Sequence, residues 1–405
     1  KAGADIISLG TANRVYGTLD FTGFSGSTLT NIAPQIYGDL VLSTGMTVTG
    51  GTNTWVFAAT TSQTVTTNGK TIDNPITFDG VGGTWALQDA LTLGSTRTLT
   101  LTNGTLNLNG YTLTTGIFSS SNANTRTLAF QAYESITLTG TNTTVYNTSN
   151  STNFTVTYSG LPNDNYIVLV GAGIAGETRS VLTGLTSSGG TQSNINNFNI
   201  IQGADTISFG TSPSVFRSVV FYGQYTQFSG NLAANAAPQI YGEFFLLTST
   251  MTVTGGTNAW TFLATSNSTA FETASLTIDN PVTINTSNFV RVINALILGS
   301  TRALTITKGK LNLQDGTTNT IGSLVATGTE AKFIGSTTPG STATLVGPTS
   351  GTFTPTRLSV QDNIVTGGAT YILAADAGCI NAGNNTGWTF VGLSAKNAGF
   401  ITMII

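Results

Sequence analysis

Charge is what this chain has least of. Of 405 residues, 14 are Lys or Arg and 17 are Asp or Glu, 8% in all, against about 25% in an average globular protein. A net charge of −3 offers no basic surface for phosphates, so nucleic acid is excluded as an expected partner. Histidine is absent. With it go the commonest general base and metal ligand, and no Ser-His-Asp triad, Cys-His pair or histidine zinc site can be built. Cys379 is the only cysteine, so no internal disulfide forms, and between Gly378 and Ile380 it reads as a small buried hydrophobe. Apolar runs are short: residues 166–170 stop after five, far below the roughly 18 that a membrane-crossing helix needs. No membrane insertion is expected. Charged helix formers are too few for much α-helix. The chain does not open on a basic-then-apolar leader, as expected of a mature segment or of a protein exported by assembly into a particle.

What is present is β-forming. Hydrophobic residues reach 39% and Gly numbers 48, with Thr, Ser and Asn filling most polar positions. That apolar content, spaced in alternation with Thr, is enough for a long thin core and argues against disorder. Residues 98–102 read Thr-Leu-Thr-Leu-Thr, then come Asn103-Gly104, Thr-Leu-Asn-Leu and Asn109-Gly110. Period two buries one face of a strand, and Asn-Gly is a favoured turn pair because both residues tolerate positive φ.

The chain also repeats itself. Residues 33–38 (Ala-Pro-Gln-Ile-Tyr-Gly) recur at 237–242, and 46–53 recur at 251–258 with Trp55 matched by Trp260. Thr-Ile-Asp-Asn-Pro at 71–75 recurs at 277–281, Leu-Gly-Ser-Thr-Arg at 93–97 recurs at 298–302, and Gly3-Ala4-Asp5 matches Gly203-Ala204-Asp205. The chain therefore reads as a tandem duplication, with one β-repeat module over 1–198 and a second over 199–405. Strand signals return about every ten residues with echoes near twenty. Two all-β architectures fit: an elongated parallel β-solenoid (β-helix), or an array of β-sandwiches. Missing helices, absent linkers and the twenty-residue echo favour the solenoid.

Residues 46–121 resemble the β-strand repeats of bacteriophage appendage and virion structural proteins and of bacterial surface adhesins. Asn68-Gly69, the 71–75 segment, Gly82-Gly83-Thr84-Trp85, 93–97 and 103–110 carry the likeness, and 383–390 resembles the closing strand of such repeats. The second module departs from it around Asn288-Phe289. The resemblance implies a fibre, sheath or adhesin outside the cell or on the virion surface, and carries no catalytic residues. Such rods commonly trimerise or stack into filaments, so self-association is the expected partnership.

Catalytic and binding motifs each have a plainer reading. Residues 166–176 contain Gly-x-Gly-x-x-Gly after an apolar strand, yet no acidic residue follows at ribose-binding distance within a βαβ unit, so a strand and glycine turn is expected. Asp205 is explained as the repeat partner of Asp5. Carboxylate pairs could cleave glycans: Asp73 and Asp89 are 16 residues apart and could stack on adjacent coils, but Asn294 stands where a second Asp89 would. Asp73 and Asp279 sit before Asn-Pro, where an Asx-type turn accounts for them. Asp39, matched by Glu243, reads as a solvated strand edge. No calcium ladder, other metal site or cofactor is expected. Arg97 and Arg302 follow Gly-Ser-Thr and are expected to bond loop carbonyls. Trp55, Trp260, Tyr37 and Tyr241 are the candidates for contact with a cell-surface glycan or partner, although their period-two spacing onto one face favours core burial. Asn142, Asn147, Asn150 and Asn153 form Asn-x-Ser/Thr sequons of a kind expected by chance in such a chain. Residues 401–405 read as an assembly contact or a last core strand.

Overall fold

In the computed structural model the residues described are 5–12, 14–28, 30–131, 133–141, 143–159, 166–170, 175–184, 197–201, 203–210, 214–222, 228–233, 237–264 and 269–392. Among them the chain is all β without a helix, and its strands stack as a parallel β-solenoid of about 15 turns. The sandwich alternative needs antiparallel pairing through hairpins, whereas every described strand pairing is parallel, for example Ile76 on Leu99 and Arg126 on Phe154. Two compact units arise. The first comprises 1–210, 214–216 and 226–230; the second comprises 211–213, 217–225 and 231–405. The sequence repeat places its boundary earlier, between 198 and 199.

In the first unit each coil lays down three short strands, one per face. The first face stacks Thr71–Ile72, Leu91–Leu93, Leu113–Thr115, Ser135–Leu138 and Tyr166–Leu169. The second runs from Arg14–Tyr16 through Pro34–Ile36 and Trp55–Phe57 to the opening residues of Ile76–Leu87 and Thr98–Asn107, then Ile117–Ser119. The third stacks Ser62–Thr66, the closing residues of the same two long strands, Arg126–Phe130 and Phe154–Tyr158. The second unit repeats the scheme. Its long strands are Val282–Ile293 and Ala303–Leu313, with Trp260–Phe262 before them and Lys332–Ser336 after.

Alternation decides what faces inward. Leu99, Leu101, Leu106 and Leu108 are buried while the Thr and Asn between them are half-exposed, each buried side chain contributing about 1.5–3 kcal/mol. Aromatic rings stack along the axis, as in Phe57–Phe78 at 4.9 Å and Phe353–Tyr371 at 5.1 Å between centroids. On the outside, Thr84, Thr105, Thr127 and Thr155 stand in one column of the first unit, and Thr261, Thr283 and Thr305 in one of the second. β-branched side chains suit extended backbone, and their hydroxyls keep the sheet wet.

The Asn-Gly pairs at 103–104 and 109–110 bend the chain differently. Asn109 and Gly110 take φ values of 52° and 90° and turn it into the next coil. Asn103-Gly104 does not end a strand; Thr98–Asn107 passes through it, and only Gly104 is left-handed, at φ 78°. A Cβ there would stand 2.5 Å from the Gly80 carbonyl oxygen, so the corner also requires glycine for space.

Candidate functional site

The chemistry-bearing side chains of this molecule lie between coils. Arg97 donates from Nε to Asp73 Oδ1 at 2.7 Å and from Nη2 to Oδ2 at 3.2 Å, across 24 residues of sequence. Arg302 and Asp279 repeat this fork in the second unit, again at 2.7 and 3.2 Å. Neither arginine shows the loop-carbonyl role expected of it, and neither aspartate is spent on an Asx turn. One coil is the length that brings Asp and Arg together, and a planar guanidinium matches two carboxylate oxygens better than scattered carbonyls do. Glycine makes room for the carboxylate: a Cβ on Gly94 would lie 1.9 Å from Asp73 Oδ1, and one on Gly299 would lie 2.0 Å from Asp279 Oδ1. Gly94→Ala should therefore push Asp73 off Arg97 and lower stability by about 1–3 kcal/mol. A urea midpoint unchanged from wild type would show the clamp to be slack.

The side chain of Asp73 is 47% exposed, so the fork itself is worth about 1 kcal/mol or less. Its electrostatic sign is still clear. Hydrogen bonds from Arg97 and Arg302 hold the Asp73 and Asp279 carboxyls below their free value of 3.8. Hydroxyls of Thr338 and Thr337 do the same for Asp315. A carboxyl depressed in the folded state contributes stability that is complete above its unfolded value and lost as pH falls through the folded one. Glu134 runs the other way. Burial raises it above 4.5 against the opposing amides of Gly110 and Gln131, so folding favours its protonated form and mild acid helps slightly. Melting temperature should hold level from pH 7 to about 5 and fall below about pH 4. The fall should be smaller in the Asp73→Asn/Asp279→Asn double variant; equal falls in both proteins would discount the clamps.

Deeper inside, Arg126 is fully buried. Its guanidinium donates to the carbonyls of Ser120 at 3.0 Å, Asn150 at 2.9 Å, Thr152 at 3.0 Å and Asn124, and to Ser120 Oγ at 2.9 Å. Phe154 lies beneath it at 5.3 Å. The repeat-equivalent residue is Lys332, also buried, whose Nζ donates to the carbonyls of Gly328, Glu330 and Thr356 at 3.3, 2.7 and 3.1 Å. Each opens a third-face strand and stacks on a glycine, Gly104 or Gly309. Burial lowers the pKa of both. Each cation ties two corners together by satisfying carbonyls that would otherwise be stranded. Arg179 and Asp205 form a third type of tie, a wholly buried ion pair at 2.6 and 3.0 Å.

Asp39 and Asp89 are corner caps. Asp39 Oδ1 accepts from the amide and hydroxyl of Thr64 at 2.7 and 2.9 Å, so it closes the next coil and is no solvated edge. Asp89 accepts from the amide and hydroxyl of Thr67 at 2.8 and 3.0 Å. Asp73 and Asp89 thus face different partners at different corners and do not form a catalytic pair. Asp205 differs from its repeat partner too, being buried where Asp5 is exposed.

Of the four glycan-contact candidates, Trp55 and Trp260 are fully buried and present no ring face to a ligand; inward alternation placed them in the core. Tyr37 is 44% exposed and accepts from Gln35 Nε2 at 3.1 Å, whereas Tyr241 is half-buried, so the repeat-equivalent tyrosines do not present equal surfaces. Cys379 is buried, its Sγ 3.2 Å from the Pro355 carbonyl. Among the sequons, Asn153 is engaged with the Ala123 carbonyl at 3.0 Å, and Asn142 lies outside the described residues, as do residues 171–174 of the glycine motif and 401–405. No group of three or more potential metal-ligating acids or cysteines occurs among the described residues, and no helix there is long and apolar enough to cross a membrane. A shallow open depression in the second unit is lined by Arg357, Ser359, Asp376 and Ile380 among others. It holds one carboxylate, where glycan cleavage uses two.

Comparison of the chain with protein-family models, with curated proteins and with solved structures finds no match.

Proposed function

We propose that this protein is a structural or adhesive fibre or surface protein of a phage virion or bacterial cell exterior, without catalysis of its own. One observation carries the reading: in a chain so poor in charge, eight of its charged side chains are spent on ties between successive coils. Arg97–Asp73, Arg302–Asp279, Arg179–Asp205 and the carbonyl-bound Arg126 and Lys332 all join one coil to the next. Such spending favours a stiff scaffold over a reactive surface, and an outer face of Thr, Ser and Asn changes little with salt. Self-association into a trimer or filament suits rods of this kind, because it protects exposed sheet edges.

Gold-labelled antibodies against the purified chain, applied to native particles and cells under the electron microscope, test the role. Label along fibres or over the outer surface is the expected result. Label confined to the cell interior would reject the reading, and release of reducing ends from polysaccharides by the pure protein would reject the non-catalytic part.

A further inference from the structure

Two exposed tyrosines occupy one corner of the first unit on consecutive coils. Tyr111 is 38% exposed and Tyr133 82%. Tyr111 follows the left-handed pair Asn109-Gly110, and Tyr133 is itself left-handed at φ 63°, a conformation that bulky residues adopt only where their surroundings enforce it. The enforcement is visible. Buried Glu134 accepts from the amides of Gly110 and, at 2.7 Å, Gln131. Gln131 Nε2 donates to Asn109 Oδ1 at 3.0 Å, and Asn109 Nδ2 donates to the Leu87 carbonyl at 2.8 Å. The corner holds both backbones in place beneath the phenol rings.

The duplication supplies a second, independent observation. The matching turn in the second unit keeps its left-handed glycine, Gly316 at φ 69°, but Thr317 follows it, and the next coil's corner reads Thr-Thr-Pro-Gly-Ser-Thr over 337–342. The scaffold needs no aromatic residue at either place. Its first copy has one at both, each turned toward solvent at a cost in apolar exposure.

We infer that Tyr111 and Tyr133 form a recognition platform for a neutral saccharide. Rigid phenol rings give broad apolar contact for the C–H faces of sugar rings while losing little side-chain entropy. The half-exposed amides of Asn109 and Gln131 beside them each give one N–H to the corner and have a second that suits a sugar hydroxyl. Asn109, Tyr111, Gln131 and Tyr133 carry no charge at neutral pH, and the Glu134 carboxyl is buried, so these side chains offer a charged ligand no exposed counter-charge. The platform adds a ligand class to the adhesive part of the proposed role and rests on that part.

Affinity electrophoresis in gels cast with dextran, mannan or galactan, and with alginate as an anionic polymer, tests it. Retardation by at least one neutral polymer is expected. Tyr111→Ala and Tyr133→Asn should each weaken it about tenfold or more, while keeping the wild-type circular dichroism and melting curve; asparagine tolerates the left-handed backbone. Tyr37→Ala, at another corner, should leave binding unchanged. No retardation in any neutral gel, retardation by alginate alone, or retardation that survives both corner substitutions would overturn the inference. Antibody labelling of particles reads the structural role separately, so the two can fail independently.

Discussion

Arg126→Met is expected to lower the free energy of opening the surrounding coils by about 3–5 kcal/mol. Methionine fills much of the same space but donates nothing, so the carbonyls of Ser120, Asn124, Asn150 and Thr152 lose their shared donor at once. A buried acceptor left without a partner costs about 1–3 kcal/mol, and solvent reaching the outermost of the four keeps the total below their sum. Arg126→Lys should retain more than half of the stability, because lysine performs this task at position 332 in the second unit. Amide hydrogen exchange over 126–130 and 154–158 reads the effect where it occurs. Protection within about 1 kcal/mol of wild type in the methionine variant would mean that the carbonyls find water and that the buried cation is dispensable.

Asp205→Ala should be as damaging, at about 3–5 kcal/mol, for a different reason. Arg179 and Asp205 are both wholly inside the first unit, and removing the carboxylate leaves a guanidinium desolvated without its counter-charge. The pair as such is weak evidence of stability, since an apolar pair of similar volume does as well. Arg179→Met/Asp205→Leu should therefore recover at least half of the loss. A double variant no better than the single one would show that the ion pair specifies the packing around it and does more than balance charge.

The sequence made the coil legible and hid what joins one coil to the next. Alternation at 98–108 and the Asn109-Gly110 turn identify strand, inward face and corner from residue type alone, because period two and positive φ are local properties. Duplication was equally plain, since 71–75 and 93–97 return nearly letter for letter. The Asp73–Arg97 fork was within reach: aspartate and arginine recur together in both copies, 24 residues apart in one and 23 in the other. Recognising it required the coil length, which places residues so far apart side by side. Arg126 and Lys332 were harder, because the copies use different residues for one task and a search for identical segments passes over both. The tryptophans recur strictly as well, and their burial follows the period-two spacing that favoured it, because repetition in a core position reflects packing.

The ties described above reach the adjacent coil: 25 residues from Asp39 to Thr64, 22 from Thr67 to Asp89, 24 from Asp73 to Arg97, 26 from Arg179 to Asp205. Length in such a molecule is therefore quantised. Removing or inserting one whole coil, about 22 residues and close to 4.8 Å of axial rise, leaves the neighbouring coils facing partners of the same kind. Removing half a coil would bring Thr columns against Leu columns throughout one seam. A gene for this protein can consequently gain or lose reach by recombination between its own repeats, in discrete steps, without inventing any new contact.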